Sequence, residues 1–197
     1  MELKIPTPEQ LETVYETHLK EAFPDAERKP LQAIEAMWQD GCYQPWCLFD
    51  GEEIAGECFL WLGRPGWVLL DYLCVSPQRR NCGIGAILLE KMQEQQTDLA
   101  ILGECEDPSL APDPAMAQRR LGFYARNRAR MAGYDTSMFG VRYKTIYWAK
   151  TQIPDAELIE QHCFIYQSRF SPEKYAKYVR IPQDPDQPLM EQVPWEV

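Results

Sequence analysis

Apolar residues recur along the chain in two rhythms, and the rhythm changes several times. Near the start they recur every three or four residues, which predicts helices over 8–20 and 28–39. Three β-type stretches follow, with Gly51 and the run GRPG at the turns between them. These stretches are 45–50, 52–62 and 67–75. The first half is therefore predicted to form two helices and then three consecutive strands.

The second half alternates helix and strand. Periodic apolar residues predict a helix over 84–92 and another over 116–130. Short β-rich runs predict strands at 99–104 and over 136–148, the latter with a turn near Gly140. The proline-rich and acidic stretch CEDPSLAPDPA between them is predicted to be an exposed loop.

The C-terminal fifth of the chain gives a less uniform pattern. Residues 155–170 place four side chains on one helical stripe, although HCFIYQ alone is also typical of a strand. The stripe consists of Leu158, His162, Ile165 and Tyr166. Four prolines in 182–197 indicate a loosely attached tail. We expect one domain over 1–150 and an extension over 151–197 that packs on it.

Charge and cysteine content narrow the classes of partner. Thirty acidic and twenty basic residues give a formal net charge of −10, which disfavours nucleic acid and anionic membranes as partners. No apolar run is long enough for export or a membrane span, so a cytoplasmic protein is expected. Seven cysteines without a C-x-x-C pair indicate reduced thiols, and no metal site is expected. Any anionic ligand must therefore be bound by local groups, such as arginines, backbone N–H groups or a helix dipole.

The stretch SPQRRNCGIGAILLEKM, residues 76–92, contains such groups. Where a buried strand turns into a helix, backbone N–H groups converge and the helix dipole attracts anions. Gly83 and Gly85 permit close backbone approach, and Arg79 and Arg80 add positive charge. A diphosphate is the predicted guest. The spacing fits neither a Rossmann fingerprint, whose third glycine position is Leu88, nor a Walker loop.

The run RNCGIG matches the Gln/Arg-x-x-Gly-x-Gly/Ala signature and resembles the acetyl-CoA motif of the GNAT N-acetyltransferase superfamily. A second run, RRLGFYAR at 119–126, is similar to the family's Phe-Tyr-x-Arg element, and the order of predicted elements over 1–148 is the family's order. The resemblance implies an α/β fold. It would have a mixed, mostly antiparallel central sheet flanked by helices, with a C-terminal helical extension.

The resemblance also implies that acetyl-CoA is the cosubstrate and indicates where it would bind. The backbone of 73–75 would pair with the pantetheine arm like an added strand, and residues 80–86 would surround the diphosphate. The residues implied to bind the cofactor are Leu73, Cys74, Val75, Arg80, Asn81, Cys82, Gly83, Ile84, Gly85 and Ala86. Tyr124 would face the thioester sulfur.

Acetyl transfer to an amine needs a proton acceptor and a group that assists the departing thiolate. A thiol has an ordinary pKa of about 8.5 and a tyrosine one of about 10, so Tyr124 can assist without transferring its proton completely. Glu104, at the end of a predicted strand, is the first candidate for the base, and Asp71 is the second. The acids of 104–113 could attract a cationic amine or simply be solvated. His162 is interpreted as a packing or surface residue.

The predicted function is an N-acetyltransferase that moves an acetyl group to a primary amine, preferably of a small molecule, by direct attack in a ternary complex. Two alternatives stay open, a protein or peptide acceptor and a non-catalytic acyl-CoA-binding module. The second alternative is supported by the replacement of the Asn and Ala of a motif found in many family members by Ala117 and Arg120, and by the open identity of the base. A homodimer is possible through the apolar stripe in 150–180.

Overall fold

The computed structural model describes residues 1–195 and shows two compact units. The first unit comprises residues 1–62, 70–97 and Trp195, and the second comprises residues 63–69 and 98–194. The predicted division at residue 150 stays a prediction, and the last two residues of the predicted tail lie outside the described residues.

The first unit contains the cofactor motif. Its elements are β1 (Glu2–Lys4), α1 (Pro8–Val14), a π-helical turn (Tyr15–Leu19), α2 (Lys20–Ala22), α3 (Leu31–Gln39), β2 (Tyr43–Asp50), β3 (Glu53–Leu62), most of β4 (Trp67–Val75), a 3-10 turn (Pro77–Arg79) and α4 (Ile84–Gln95). The strands lie in the order β1-β2-β3-β4, and the β1–β2 and β2–β3 pairs are antiparallel. Thr7 begins α1 with a capping box, and Pro30 precedes α3. The two predicted N-terminal helices are thereby confirmed, the first with a π turn inserted.

The second unit contains both candidate catalytic residues. Its elements are β5 (Ala100–Glu106), α5 (Pro114–Arg126), β6 (Arg130–Met138), β7 (Val141–Trp148), α6 (Asp155–Gln167), α7 (Pro172–Tyr178) and β8 (Val179–Arg180). The strands lie in the order β5-β7-β6-β8, and these neighbours pair antiparallel. The helical interpretation of 155–170 is confirmed for residues 155–167.

Three expectations for the second unit are corrected. The helix predicted over 116–130 ends at Arg126, because Arg128 adopts a left-handed φ of 71° and Arg130 already belongs to β6. The tail is not loosely attached: the Gln183 amide donates to the Asp135 carbonyl at 2.7 Å, and the Val193 amide donates to the Phe139 carbonyl at 3.2 Å. Within 105–115, Cys105 and Glu106 belong to β5, not to a loop.

Mixed α/β structure with mostly antiparallel strands is confirmed, and each unit buries its apolar residues. In the first unit Leu11, Ile34 and Phe59 are fully buried. In the second unit Leu102 and Ile165 are fully buried. Within residues 1–195, no helix has both the length and the apolar character needed to cross a bilayer. Over the same residues, no group of three or more His, Cys, Asp or Glu side chains is placed to hold a metal ion.

Candidate active site

The loop between β4 and α4 has the backbone that a phosphate cradle requires. Gly83 is the N-cap of α4 and has a φ of +79°, which a side chain would strain. A Cβ at this position would meet nothing within 4 Å beyond the chain neighbours, so the space beside it is open. No side chain caps the N-terminus of α4, so the backbone N–H groups at the start of this helix can bind an anion. Residues 80–83 are exposed, and the loop therefore fits a diphosphate.

Both arginines of the motif are bound to carboxylates in this structure. Arg79 lies 2.9 Å from Asp50 and 2.9 Å from Glu53, and hydrogen bonds to Glu53 and Asp50 raise the pKa of Arg79. Arg80 makes a single contact of 2.9 Å with Glu21, and both side chains are about half exposed. An exposed ion pair of this kind contributes little stability. A phosphate can therefore compete with Glu21 for Arg80, whereas Arg79 is committed to the β2–β3 hairpin.

The strand segment Leu73–Cys74–Val75 is fixed from behind by β3. A Cβ on Gly56 would stand 2.7 Å from the Cys74 carbonyl oxygen, so only glycine permits this approach of the two strands. The Cys74 side chain is buried, and burial raises the pKa of its thiol far above the ordinary range. Leu73 and Val75 are partly exposed. Leu73–Val75 is the end of β4, and the loop that contains Gly83 follows it in the chain.

Tyr124 lies on α5 and is half-buried, with its ring held edge-on by two aromatic neighbours. The ring centroid is 5.8 Å from that of Trp148 and 5.4 Å from that of Phe123. Trp148 is itself fixed by a hydrogen bond from its Nε1 to the Asn127 carbonyl at 2.9 Å. The ring of Tyr124 is therefore packed between two aromatic side chains.

Glu104 lies near the end of β5 and is held by two side chains of α6. His162 Nε2 is 2.8 Å from Glu104 Oε1, and the Tyr166 hydroxyl donates to Oε2 at 2.9 Å. His162 is fully buried, whereas the Glu104 side chain keeps 13% exposure. The sequence interpretation of His162 as packing or surface missed this contact. The helical stripe shared by His162 and Tyr166 was a signal, but nothing in the sequence placed β5 opposite it.

Tyr134 of β6 completes this arrangement. Its hydroxyl is 3.1 Å from His162 Nδ1, and burial, then the charge of Glu104, raises the pKa of Tyr134 well above its ordinary value. The hydroxyl therefore keeps its proton and donates it to Nδ1, which assigns the hydrogen on the imidazole to Nε2. We call Tyr134, His162, Glu104 and Tyr166 the Glu104 network. It presents one partly exposed carboxylate held by hydrogen bonds at both oxygens.

Two of the four acids in 104–113 have structural roles. Asp107 is 3% exposed, bonds the Ser109 amide and hydroxyl, and pairs with Lys144 at 3.2 Å. Asp113 caps α5 by accepting from the Met116 amide. Glu106 is partly buried, and burial raises the pKa of its carboxyl. Glu104 and Glu106 are thus the two acids of β5 that combine partial exposure with a position near the strand's end.

Asp71, the second candidate for the base, belongs instead to a structural ion pair. Its carboxylate accepts from Lys29 Nζ at 2.7 and 2.9 Å and from the Tyr43 hydroxyl. Lys29 is 2% exposed, and its ammonium lies 4.0 Å from the centroid of the Trp195 ring. Both oxygens of this carboxylate are thus used by Lys29 and Tyr43 within a buried ion pair.

The fold is thus a mixed α/β fold in which a glycine loop leads from β4 into a helix without a side-chain cap. The family model described as Acetyltransferase (GNAT) family matches residues 11–123, which is more than half of the 197 residues. The chain belongs to the GNAT family of acetyltransferases. The resemblance drawn from the loop and from the FYAR run is thereby confirmed.

Several solved structures share the fold. A protein from the GNAT family of Bacteroides thetaiotaomicron has a TM-score of 0.70 and 20% identity, over 85% of this chain and 98% of its own. The ribosomal-protein-S18-alanine N-acetyltransferase of Escherichia coli has a TM-score of 0.58 and 14% identity, over 77% and 95%. A spermidine N-acetyltransferase chimera from Vibrio cholerae and hSSAT has a TM-score of 0.58 and 10% identity, over 75% and 95%. Among curated proteins, none matches the sequence significantly.

Proposed function

We propose that this protein transfers the acetyl group of acetyl-CoA to a primary amine of a small molecule, by direct attack within a ternary complex. Membership of the GNAT family supports acetyl transfer. The single observation that carries the proposal is the loop at Gly83, which combines a left-handed φ, open space and an uncapped helix N-terminus.

The cofactor residues proposed from the sequence remain the best candidates. Amides of 80–86 and the Arg80 guanidinium would hold the diphosphate, and the backbone of 73–75 would pair with the pantetheine arm. When bound, acetyl-CoA supplies an activated thioester carbonyl. The chain's own contribution is to bind and orient that group and to manage two protons.

The first proton leaves the acceptor, because an ammonium has no lone pair with which to attack. We assign this proton to Glu104, whose carboxylate is partly exposed and fixed by His162 and Tyr166. As the C–N bond forms and the C–S bond breaks, negative charge develops on the sulfur. The Tyr124 hydroxyl would donate a hydrogen bond to that sulfur, and the second proton, lost by the nitrogen as the amide forms, would neutralise the thiolate as coenzyme A leaves.

A small cationic acceptor is favoured over a peptide by local charge. Glu104 and Glu106 bring two carboxylates to the end of β5, in a chain whose net charge is −10. Solved structures with this fold include enzymes named for spermidine and for a ribosomal protein, so both acceptor classes belong in the test.

The test is a thiol-release screen with acetyl-CoA against polyamines, aminoglycosides, amino acids and peptides. We expect release with at least one small amine, and loss of at least 100-fold in Gly83→Glu, because the carboxylate would occupy the anion site. Gly41→Glu is the matched control. Gly41 has a similar φ of +74° and equally open surroundings, so it imposes the same strain and charge away from the loop.

Each alternative outcome is distinct. Release only with peptides would replace the small-molecule acceptor by a protein. Binding of coenzyme A without release for any amine would indicate a non-catalytic module. Release that survives Gly83→Glu, in a variant that still folds, would contradict the assignment of the loop.

A further inference from the structure

The first unit contains a buried His–Glu pair that the proposed reaction does not use. Glu57 of β3 is completely buried, and its Oε2 lies 3.0 Å from Nδ1 of His18. His18 comes from the π-helical turn Tyr15–Leu19 and is itself 8% exposed. The pair thus joins the N-terminal helical segment to the middle of a strand.

This arrangement is costly for the fold. Glu57 Oε1 has no hydrogen-bond partner within residues 1–195. Burial raises the pKa of the Glu57 carboxyl, although the bond from His18, the thiol of Cys74 and the charge of Arg80 oppose that shift. A buried carboxylate oxygen left without a partner destabilises a protein. The π turn that delivers His18 is also a rare local geometry, often found at functional sites. Two unfavourable features that meet at one side chain point to a function for it.

His18 borders a cavity of about 420 Å³. The cavity lies among α1, the π turn, the β2–β3 turn and the segment before α4. Its lining includes His18, Glu52, Glu53 and Arg79. No residue within 1–195 forms a hydrogen bond with Nε2 of His18, whose Nδ1 is taken by Glu57. The second ring nitrogen is therefore the atom that a ligand in this cavity can reach.

The carboxylate determines what that nitrogen can do. With the Nδ1 hydrogen donated to Glu57, the neutral imidazole presents a lone pair at Nε2 and acts as an acceptor. The ligand must then supply an N–H or O–H donor.

Charge around the cavity selects among donors. Glu57 lies behind His18, and Glu52 and Glu53 lie on the lining. The positive charge of Arg79 is already shared between Asp50 and Glu53. A cation is therefore favoured and an anion is disfavoured.

We propose that the cavity beside His18 binds a small organic cation through a protonated primary amine, with Nε2 of His18 accepting a hydrogen bond from the ammonium. Glu57 holds the imidazole in the tautomer that makes this possible. The proposal concerns binding alone and does not depend on acetyl transfer.

Nuclear magnetic resonance of the imidazole nitrogens provides a direct test, since the chain has two histidines, His18 and His162. The ¹⁵N-histidine protein is titrated at a pH of about 8, without acetyl-CoA, with n-butylammonium. Two comparison ligands are 1-butanol, which lacks the charge, and tetramethylammonium, which lacks the N–H donor. We expect a saturable shift of the His18 Nε2 resonance with butylammonium and at least tenfold weaker binding of both comparison ligands.

Variants separate this site from general attraction of cations to an acidic protein. Glu57→Gln keeps an acceptor for the Nδ1 hydrogen but removes the charge, and we expect it to weaken binding at least tenfold. Because His18→Gln has no His18 resonance, its binding is measured by isothermal titration calorimetry, where we expect the saturable heat of butylammonium binding seen with the unaltered protein to be lost. Glu52→Gln should weaken binding two- to fivefold, whereas Glu90→Gln, which also removes one exposed carboxylate, should have no effect.

Equal shifts with 1-butanol, or binding that is unchanged in Glu57→Gln, would overturn the proposal. A His18 resonance that does not move at saturating butylammonium in the unaltered protein would overturn it as well, whether or not the variants fold. Loss of acetyl transfer in the thiol-release screen would leave this result unaffected, because the binding is measured without the cosubstrate.

Discussion

The two units each contain a histidine paired with a glutamate, and the two pairs are built the opposite way round. In the first unit Glu57 is completely buried and His18 borders a cavity. In the second unit His162 is completely buried and Glu104 keeps 13% exposure. The outer member of each pair is therefore the group that a ligand can reach, and the inner member fixes it.

The pairs also differ in how completely they are satisfied. In the Glu104 network both imidazole nitrogens and both carboxylate oxygens have partners. In the other pair one carboxylate oxygen and one imidazole nitrogen have none within residues 1–195. A satisfied network holds one geometry, whereas an unsatisfied one gains hydrogen bonds when a ligand arrives. This difference agrees with the roles that we propose, catalysis for the Glu104 network and ligand binding for the pair of His18 and Glu57.

The largest effect is expected for a third charged pair, in which both side chains are buried and neither can be reached by a ligand. Lys29 and Asp71 are 2% and 6% exposed at their side chains, so we expect them to affect stability alone. Lys29→Met should lower the free energy of unfolding by about 3–5 kcal/mol, because it leaves a buried carboxylate without its counter-ion. Chemical denaturation measures this. Lys29→Met/Asp71→Asn should be less destabilised than Lys29→Met; equal losses would contradict the ion-pair explanation.

Removing the outward carboxylate of the second pair should have the next largest effect. Glu104→Gln should lower kcat by about 100-fold, or about 2.7 kcal/mol, with little change in the KM for acetyl-CoA. Glu106→Gln, on the same strand and also partly exposed, should change kcat less than threefold. Steady-state kinetics with the acceptor found in the screen provide the measurement. Similar losses in both variants would indicate an effect of charge and not of proton transfer.

Substitutions of supporting residues should cost less than loss of the carboxylate. His162→Ala should lower kcat about tenfold, because the Glu104 carboxylate loses a hydrogen-bond donor that fixes its position. His162→Gln, whose amide can still donate, should recover most of the rate. A purely structural role would lower the amount of folded enzyme without lowering kcat per folded molecule.

Tyr124→Phe should have an effect of similar size on a different step. We expect kcat to fall about tenfold without vanishing, because the thiolate is the weaker base of the two groups. The loss should be smaller with an acyl donor that has a more acidic leaving thiol. A variant with unchanged kcat for both donors would remove Tyr124 from the mechanism.

The smallest effect is expected for Glu57→Gln, which should raise the free energy of unfolding, whereas Lys29→Met should lower it. Because burial raises the pKa of Glu57, its contribution to stability is present below the unfolded value of about 4.3 and is lost as the pH rises through the folded value. Glu57→Gln should therefore be as stable as the original at acidic pH and up to about 1 kcal/mol more stable at pH 8. Denaturation curves across that range check it. A large loss of stability at pH 8 would show that the pair is a structural element only.

Local patterns predicted the fold well where backbone chemistry decides it. The glycine junction, the strand at 67–75 and the helix after Gly83 follow from residues that are neighbours in sequence. The end of α5 did not follow, because it depends on a left-handed Arg128, which sequence periodicity does not reveal. The short strands β1 and β8 contain too few residues to show a period.

The site was predictable only in its local part. Gly83 and Tyr124 were found from motifs, and Glu104 from its position at a strand's end. Contacts across long separations were missed: Glu104 and His162 are 58 residues apart, and His18 and Glu57 are 39 apart. Each partner alone looks like an ordinary core residue, and only folding reveals the pair.

The helix α6 lies beyond residues 11–123, the part of the chain that matches the family, yet it supplies both hydrogen bonds to Glu104. The part of the chain that matches the family therefore contains Glu104 but not the two side chains that form hydrogen bonds with its carboxylate. A change in α6 would therefore alter the support of that carboxylate without altering any residue of the loop at Gly83.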